Sequence, residues 1–451
     1  MTTAPIAARF LEQEARGLLT RLARVKPFAL LTPSVPAAAV SVPAQSAIEN
    51  YLAAGRRELR TRVAQFLTWV RSPQGRRASA SELQQRFTFL RLRFNVVLNH
   101  FDIFADVLTQ RSEHETGVFC GGLDVVAADA LELPGVQLPD VPPVICYLVR
   151  DPGAAIRRAR TRLPGGGENP VAVIRVPRER MVSSGVSSSL VHEVGHQGAA
   201  LLHLVESLRP MLQNMQRRAG PAQPAWQLWE RWISEIVADL WSVSRVGISA
   251  TLGLIGVVSL PRAFVFRIRT DDPHPAPWVR VRLSCAMGKT LYPHPQWDLL
   301  TALWASLYPL SDATPETRRL IGLLETTMEE FVKRLLSHRP PLLRGRSLGD
   351  VMGSAERQPA HLASLFRTWR TSPLLMRDNP PTLVFAAVGQ ARADGVITPE
   401  EESRALAYLL NYWALRSTLD IAEVCATQPM ARPWRQRTQT RLPAAAALAA
   451  V

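Results

Sequence analysis

The sequence predicts a mainly α-helical protein with one small α/β unit. Apolar residues recur every three or four positions over most of the chain, as they do along one face of a helix. Short runs rich in valine and isoleucine are concentrated between residues 118 and 181, which indicates a few strands there. With 47% hydrophobic and 20% charged residues, the 451-residue chain has the composition of a protein with a large core.

Residues 1–45 are predicted to be an N-terminal arm and a linker. The spacing of apolar residues over 7–25 predicts an amphipathic helix, and the proline-rich stretch 27–43 cannot continue it. Residues 46–115 are predicted to be a helical hairpin, because the helical spacing resumes there and is interrupted once, at residues 72–79.

The segment 116–310 is predicted to be the core of the protein. Alternating and β-branched runs predict strands over 144–149 and 171–176, which flank a helical piece around 154–163. The tryptophan-rich stretch 225–246 has the pattern of a buried helix.

Residues 311–430 are predicted to form a C-terminal helical region that paired prolines divide into short helices. Thr398, with Glu401 three residues later, has the pattern of a capping box at a helix start. The stretch 393–401 also resembles a calcium-binding loop, but it lacks acidic residues where that loop needs ligands, so calcium is not expected. The basic and then alanine-rich tail 431–451 is expected to be disordered.

The charge of the chain does not predict a nucleic-acid partner. The formal charge is +15, but only three of the 53 basic residues are lysine. This skew towards arginine is typical of a GC-rich genome, which raises the charge everywhere without forming a patch. We therefore do not expect nucleic-acid binding.

The cysteines indicate a reducing compartment. Cys120, Cys146, Cys285 and Cys425 are far apart and show no paired spacing, as expected for free thiols rather than for disulfides or a thiolate metal site. No export signal is visible, and the longest apolar run, residues 247–260, is too short to cross a membrane and is interpreted as a core helix or hairpin. A cytoplasmic protein without a transmembrane segment is expected.

The stretch 190–203 carries the pattern His-Glu-x-x-His on an apolar helix. Residues four apart lie on the same helix face, so His192 and His196 can both direct an imidazole at one metal ion, with Glu193 beside them as a general base. Buried imidazole and carboxylate groups are unfavourable without partners, and a metal ion would be one. The alternative is a helix with two hydrogen-bonded core histidines.

Two carboxylates lie among the apolar residues of the predicted helix 225–246. Glu235 and Asp239 are four residues apart and would repel each other unless a positive group holds them. We interpret Glu235 as the third metal ligand and Asp239 as the acceptor of the distal N–H of His192. The alternative is that both carboxylates pair with arginines such as Arg231 or Arg245.

The combination of His192-Glu-Val-Gly-His196, then Glu235-Ile-Val-Ala-Asp239, then His274-Pro-Ala-Pro-Trp-Val-Arg280 resembles the signature of the gluzincin zinc metallopeptidases, most closely the HtpX-like and CAAX-protease-like branch. The resemblance covers roughly residues 170–285. It implies that residues 116–310 are a zincin-like metallopeptidase core flanked by helical regions, with Zn²⁺ bound by the two histidines and Glu235. It also implies Glu193 as the base, Asp239 behind a ligand histidine, and His274 and Arg280 near the scissile group. The strand at 169–174 would then be either the edge strand that pairs with an extended substrate or an ordinary core strand.

His203 is a rival for the third ligand, because it echoes the last histidine of the metzincin pattern. That pattern needs glycine at the position of Ala199 and histidine at the position of Leu202. In an unbroken helix His203 would lie about 10 Å along the axis from His196, too far for a shared ion. A second rival, His294, competes with His274 but lacks the downstream arginine. We therefore predict Glu235 as the third metal ligand and His274 as the histidine near the scissile group.

These observations predict a zinc metallopeptidase that acts on a protein or peptide substrate through a metal-activated water. The alternative is a helical scaffold or assembly protein, in which the metal site is structural or vestigial. A structural zinc is enclosed by four protein ligands, whereas a catalytic zinc keeps one position for water, so the number of ligands separates the two.

Overall fold

The protein is described from a computed structural model that covers residues 3–25, 35–150, 153–163, 166–178, 184–269 and 271–427. It is mainly α-helical and contains a small mixed sheet, as the sequence predicts. In these ranges no helix is long and apolar enough to cross a membrane. The tail 431–451 lies outside the described residues.

The N-terminal part of the described chain is helical. Its helices are α1 (Thr3–Arg24), α2 (Val42–Arg71), α3 (Pro73–Arg77), α4 (Ala80–Gln110) and α5 (His114–Leu131). The helices α2 and α4 correspond to the two arms of the predicted hairpin. Each begins after a serine, Ser41 or Ser79, whose hydroxyl accepts a hydrogen bond from a backbone N–H in the first turn.

The predicted N-terminal arm is packed against the hairpin. Leu11, Leu18 and Leu22 of α1 are almost completely buried in the same core as α2 and α4. Glu12 accepts two hydrogen bonds from the Arg71 guanidinium at 2.6 and 3.2 Å, which fixes α1 to the end of α2. The apolar stripe that predicted an amphipathic helix thus completes a three-helix bundle.

The α/β unit contains a three-stranded sheet in the order β1-β3-β2. Strand β1 (Val144–Val149) runs parallel to β3 (Ala172–Pro177), and β2 (Ala155–Arg157) runs antiparallel to it. The two predicted strands are confirmed, but the helical piece predicted around 154–163 is wrong. Residues 155–157 pair with the otherwise open side of β3, and this pairing outweighs the local preference for helix. The edge strand on this side is therefore β2, while β3 is central.

The remaining helices begin with α6, which carries the His-Glu-x-x-His pattern. They are α6 (Ser184–Leu201), α7 (Leu204–Arg218), α8 (Gln223–Arg231), α9 (Ile233–Val246), α10 (Ile248–Val258), α11 (Arg262–Val265), α12 (Pro277–Leu291), α13 (Gln296–Leu307), α14 (Pro315–Ser337), α15 (Leu348–Met352), α16 (Pro359–Thr371), α17 (Pro381–Ala393) and α18 (Pro399–Thr427). The predicted helix 225–246 is divided into α8 and α9 at Trp232, and the apolar run 247–260 forms α10.

Helix α6 lies at the centre of the larger core. It packs against α5, α9 and α10, and β3 lies alongside it. The tryptophans of α8 and α9 are buried there, and the carboxylates of Glu235 and Asp239 on α9 therefore also lie in the interior. At the other end of the chain, the capping box predicted at the start of α18 is present, with Glu401 N–H donating to Thr398 and Thr398 N–H donating to Glu401.

Candidate metal centre

Helix α6 places two imidazoles side by side in the interior. His192 and His196 lie one turn apart, and their ring centroids are 4.9 Å from each other with the rings nearly perpendicular. Leu190, Val191 and Val194, which surround the motif, have no solvent exposure. Both histidines retain a small exposed fraction, 12% and 15% of the side chain, so the pair faces a narrow opening.

Helix α9 brings a carboxylate to the same point. Glu235 Oε2 lies 3.3 Å from His192 Nε2, and Glu235 Oε1 lies 3.5 Å from His196 Nε2. Ligand atoms about 2.0–2.1 Å from a tetrahedral zinc ion are separated by about 3.3 Å. The two distances from the Glu235 carboxylate to the imidazoles, one from each of its oxygens, are close to this edge length.

The donor set also fits a metal ion chemically. One ligand atom from each of His192, His196 and Glu235 lies within 4.8 Å of the others. Glu235 is buried, and its Oε2 makes no hydrogen bond to any described residue. An orphaned buried carboxylate oxygen beside two imidazole nitrogens is unfavourable unless a cation lies between them. The group can hold a metal ion, and two nitrogens with one oxygen are ligands that suit zinc.

Asp239 binds the His192 ring on the side opposite the candidate metal position. The His192 Nδ1–H donates to Asp239 Oδ1 at 2.8 Å, which leaves the Nε2 lone pair directed at Glu235 and the candidate metal position. The same carboxylate receives two hydrogen bonds from Arg280 of α12, at 2.7 and 2.8 Å. The alternative of an arginine partner thus holds for Asp239, but the arginine is Arg280 and not Arg245, which bonds to Asp129 and Thr382.

The pKa values of this group reflect its dense charge. Burial would raise the pKa of Asp239, but the charges of Arg280 and His192 lower it to about 2. Burial would lower the pKa of His192, but the Asp239 carboxylate raises it to about 9. Burial would also raise the pKa of Glu235, yet the two imidazoles hold it well below its ordinary value. The two carboxylates therefore favour positive charge on His192, and a metal ion would bind in exchange for a proton.

His274 lies at the open side of the cluster. Its Nε2 is 3.4 Å from Glu235 Oε2, and its side chain is 52% exposed. Asp272 fixes the ring by accepting the backbone N–H and the Nδ1–H of His274, both at 2.9 Å. His274 does not join the group of mutually close ligand atoms in the described chain, so it stands next to the candidate metal position rather than completing its shell.

Glu193 and Arg280 differ in the polar contacts that they make. Glu193 follows a ligand histidine directly, is buried, and has no ion pair or hydrogen bond with a described residue. Its carboxylate is thus available for proton transfer. Arg280 donates two hydrogen bonds to Asp239, and its Nη2 also lies 4.0 Å from Glu235 Oε2, so it adjoins both carboxylates of the site.

The rival histidines lie elsewhere. Helix α6 continues through Gly198 and ends at Leu201, earlier than expected from the apolar run that follows. His203 then adopts a left-handed conformation with φ +50° and is exposed. His294 is near Gln296, whose backbone N–H it accepts. Neither belongs to the metal-ligand group.

Gly195 and Gly198 of α6 set the distance between α6 and α9. A Cβ on Gly195 would lie 2.8 Å from Trp241 Cβ and 2.9 Å from Ala238 Cα. One on Gly198 would overlap Trp241 Cη2 and lie 2.6 Å from Cζ2 and Cζ3 of the same ring. Any larger residue would push the helices apart. The indole of Trp241 is itself fixed, because its Nε1 donates to the Ala130 carbonyl at 2.8 Å.

The sequence reasoning missed these packing residues and Asp272. An aspartate two residues before a histidine, ahead of a proline, has the pattern of an Asx turn that orients the histidine, and this signal was available at Asp272. The contact of Gly195 and Gly198 with Trp241 had no signal in the sequence, because it depends on which helix packs on α6.

Comparisons of this chain with protein-family models, with curated proteins and with solved structures give no match. The function is therefore argued from the geometry and chemistry of the metal centre.

Proposed function

We propose that this chain is a zinc-dependent metallopeptidase of the gluzincin type, similar to the HtpX-like and CAAX-protease-like branch. The observation that carries the proposal is the group formed by His192, His196 and Glu235, in which one ligand atom of each side chain lies within 4.8 Å of the others. A zinc ion bound there would lower the pKa of its water and polarise the scissile carbonyl.

The number of ligands favours a catalytic over a structural site. The group contains three protein ligands in the described chain, which leaves one position for water or substrate. His274, the nearest further histidine, is half-exposed and faces the opening. In the scaffold alternative, a fourth protein ligand would close this position.

The side chains around the group can perform the proton transfers of peptide hydrolysis. Glu193 accepts a proton from the attacking water and delivers it to the departing amine. His274, whose ring Asp272 fixes, faces the opening and would donate a hydrogen bond to the carbonyl oxygen as negative charge develops there. Asp239 and Arg280 keep His192 in the orientation that directs Nε2 at the metal.

The test is a comparison of wild type with Glu193→Gln. Both proteins are expected to bind about one equivalent of zinc, because the substitution leaves the three ligands intact. Only the wild type is expected to cleave a generic peptide library, since glutamine cannot accept the proton. Equal cleavage by the two proteins would remove Glu193 from the mechanism. Zinc binding by both without any cleavage would favour the structural or scaffold role.

A further inference from the structure

A cavity of about 250 Å³ opens beside His274. His274 and Arg280 form part of its lining, so the cavity adjoins the metal centre. It is smaller than the roughly 300–1,000 Å³ of pockets that enclose a complete drug-sized ligand. The size suits one large side chain of a longer substrate, whose main chain would pass the metal ligands.

The far wall of the cavity is apolar and exposed. Leu260 is 42% exposed and Phe264 is 51% exposed, and both line the cavity together with Val258. The wall is held in place, because the Tyr308 hydroxyl donates to the Leu260 carbonyl at 3.0 Å. Single exposed apolar residues are common on proteins, but adjacent ones in a concave site next to reactive groups indicate a surface that a ligand covers.

Two arginines besides Arg280, namely Arg267 and Arg269, add positive charge at the same cavity. The Arg269 guanidinium donates two hydrogen bonds to Asp271, at 2.8 and 3.1 Å, so its charge is compensated locally. Asp272, the acid of the lining, is engaged by His274. Arg267 is exposed and forms no ion pair within the described ranges of the chain. It is the cation that an incoming carboxylate would meet.

We propose that this cavity is a substrate subsite that receives a large apolar side chain, and that Arg267 binds a carboxylate on the adjoining residue of the same peptide. The inference rests on the proposed peptidase function and names its substrate class. The preferred peptides carry leucine, methionine or phenylalanine next to aspartate or glutamate, close to the scissile bond. Phe264 and Arg267 are then the residues that determine specificity.

The test uses four fluorescein-labelled peptides that differ at two central positions, with leucine or alanine followed by glutamate or lysine. Their binding is measured by fluorescence anisotropy on zinc-loaded Glu193→Gln protein, so that the readout does not depend on turnover. The leucine–glutamate peptide is expected to bind most tightly. Adding Phe264→Ala should weaken binding of the leucine peptides about ten-fold and leave the alanine peptides nearly unchanged.

The charge of Arg267 is tested separately. Arg267→Glu should weaken binding of the leucine–glutamate peptide about five-fold and strengthen binding of the leucine–lysine peptide. Arg370→Glu is the matched control, because Arg370 is exposed on α16 and does not line the cavity. Phe264→Leu keeps an apolar wall and should retain the preference for leucine, which separates loss of the contact from loss of folding.

The outcomes distinguish this inference from the proposed function. Equal affinity of Glu193→Gln protein for all four peptides would overturn the subsite, even if wild type cleaves them. Preferences that do not change in Phe264→Ala and Arg267→Glu would overturn it as well. Selective binding that these variants abolish supports the subsite, whereas failure of zinc-loaded wild type to cleave any bound peptide would overturn the peptidase function alone.

Discussion

One added methyl group tests whether close packing of α6 on α9 builds the metal centre. In Gly198→Ala the new Cβ would overlap Trp241 Cη2 and would also lie 2.6 Å from Cζ2 and Cζ3. Contacting carbon atoms are separated by about 3.5–4.0 Å, so the helix and the indole must move apart by more than about 1 Å. Trp241 has no free space to retreat into, because it is completely buried and hydrogen-bonded to the Ala130 carbonyl.

A shift of this size is large compared with the tolerance of a metal site. Ligand distances must stay within about 0.2 Å of their ordinary values, and Glu235 reaches His192 and His196 only because α9 lies so close. We expect Gly198→Ala to weaken zinc binding by about ten- to a hundred-fold, as changes that disorient metal ligands do. Overpacking should also lower the free energy of unfolding by about 1–3 kcal/mol.

Zinc affinity is measured by competition with a chromophoric chelator, and stability by urea denaturation of the metal-free protein. Gly322→Ala is the matched control, because a Cβ there meets nothing within 4 Å and alanine favours helix. Gly198→Ala combined with Trp241→Phe should bind zinc about as well as Trp241→Phe alone, since the clashing ring atoms are gone. Wild-type affinity and stability in Gly198→Ala would refute the reasoning.

Two further predictions concern groups whose pKa values depart from the ordinary. Asp239→Asn should weaken zinc binding about ten- to a hundred-fold while the protein stays folded, because His192 loses its carboxylate acceptor; unchanged affinity in a zinc competition assay would contradict this. Burial raises the pKa of the Cys285 thiol to about 11, so at pH 8 only about one thiol in a thousand is ionised. Alkylation of Cys285 in native protein, followed by peptide mass mapping, should therefore be slow at pH 8 and accelerate as the pH approaches 11; rapid labelling at pH 8 would show that the thiol is not buried.

Much of the fold follows from periodicity in the sequence. The long helices α2 and α4, the strands β1 and β3 and the capping box at Thr398 were predictable because each depends on residues close together in the chain. Strand β2 was not, since residues 155–157 are extended only through their pairing with β3. The packing of α1 on the hairpin was also missed, because an amphipathic stripe does not say which surface will cover it.

The side chains of the candidate metal group were predictable for a different reason. His192 and His196 lie four residues apart on one helix, and Glu235 and Asp239 repeat that spacing on another, so the local pattern already specifies which side chains share a face. The position of Arg280 depends on how α12 docks, so its hydrogen bonds to Asp239 could not be predicted from the sequence. Tertiary contacts of this kind leave no periodic trace in the sequence.

The proposed metal centre depends most directly on the identity of its third ligand. The decisive measurement is zinc titration of purified Glu235→Ala and His203→Ala beside wild type, with folding monitored by circular dichroism. We predict that Glu235→Ala loses tight zinc binding, because one of three converging ligand atoms is removed. His203→Ala should bind about one equivalent with wild-type affinity, since His203 is exposed beyond the end of α6. Zinc retained in Glu235→Ala but lost in His203→Ala would contradict the proposed metal centre.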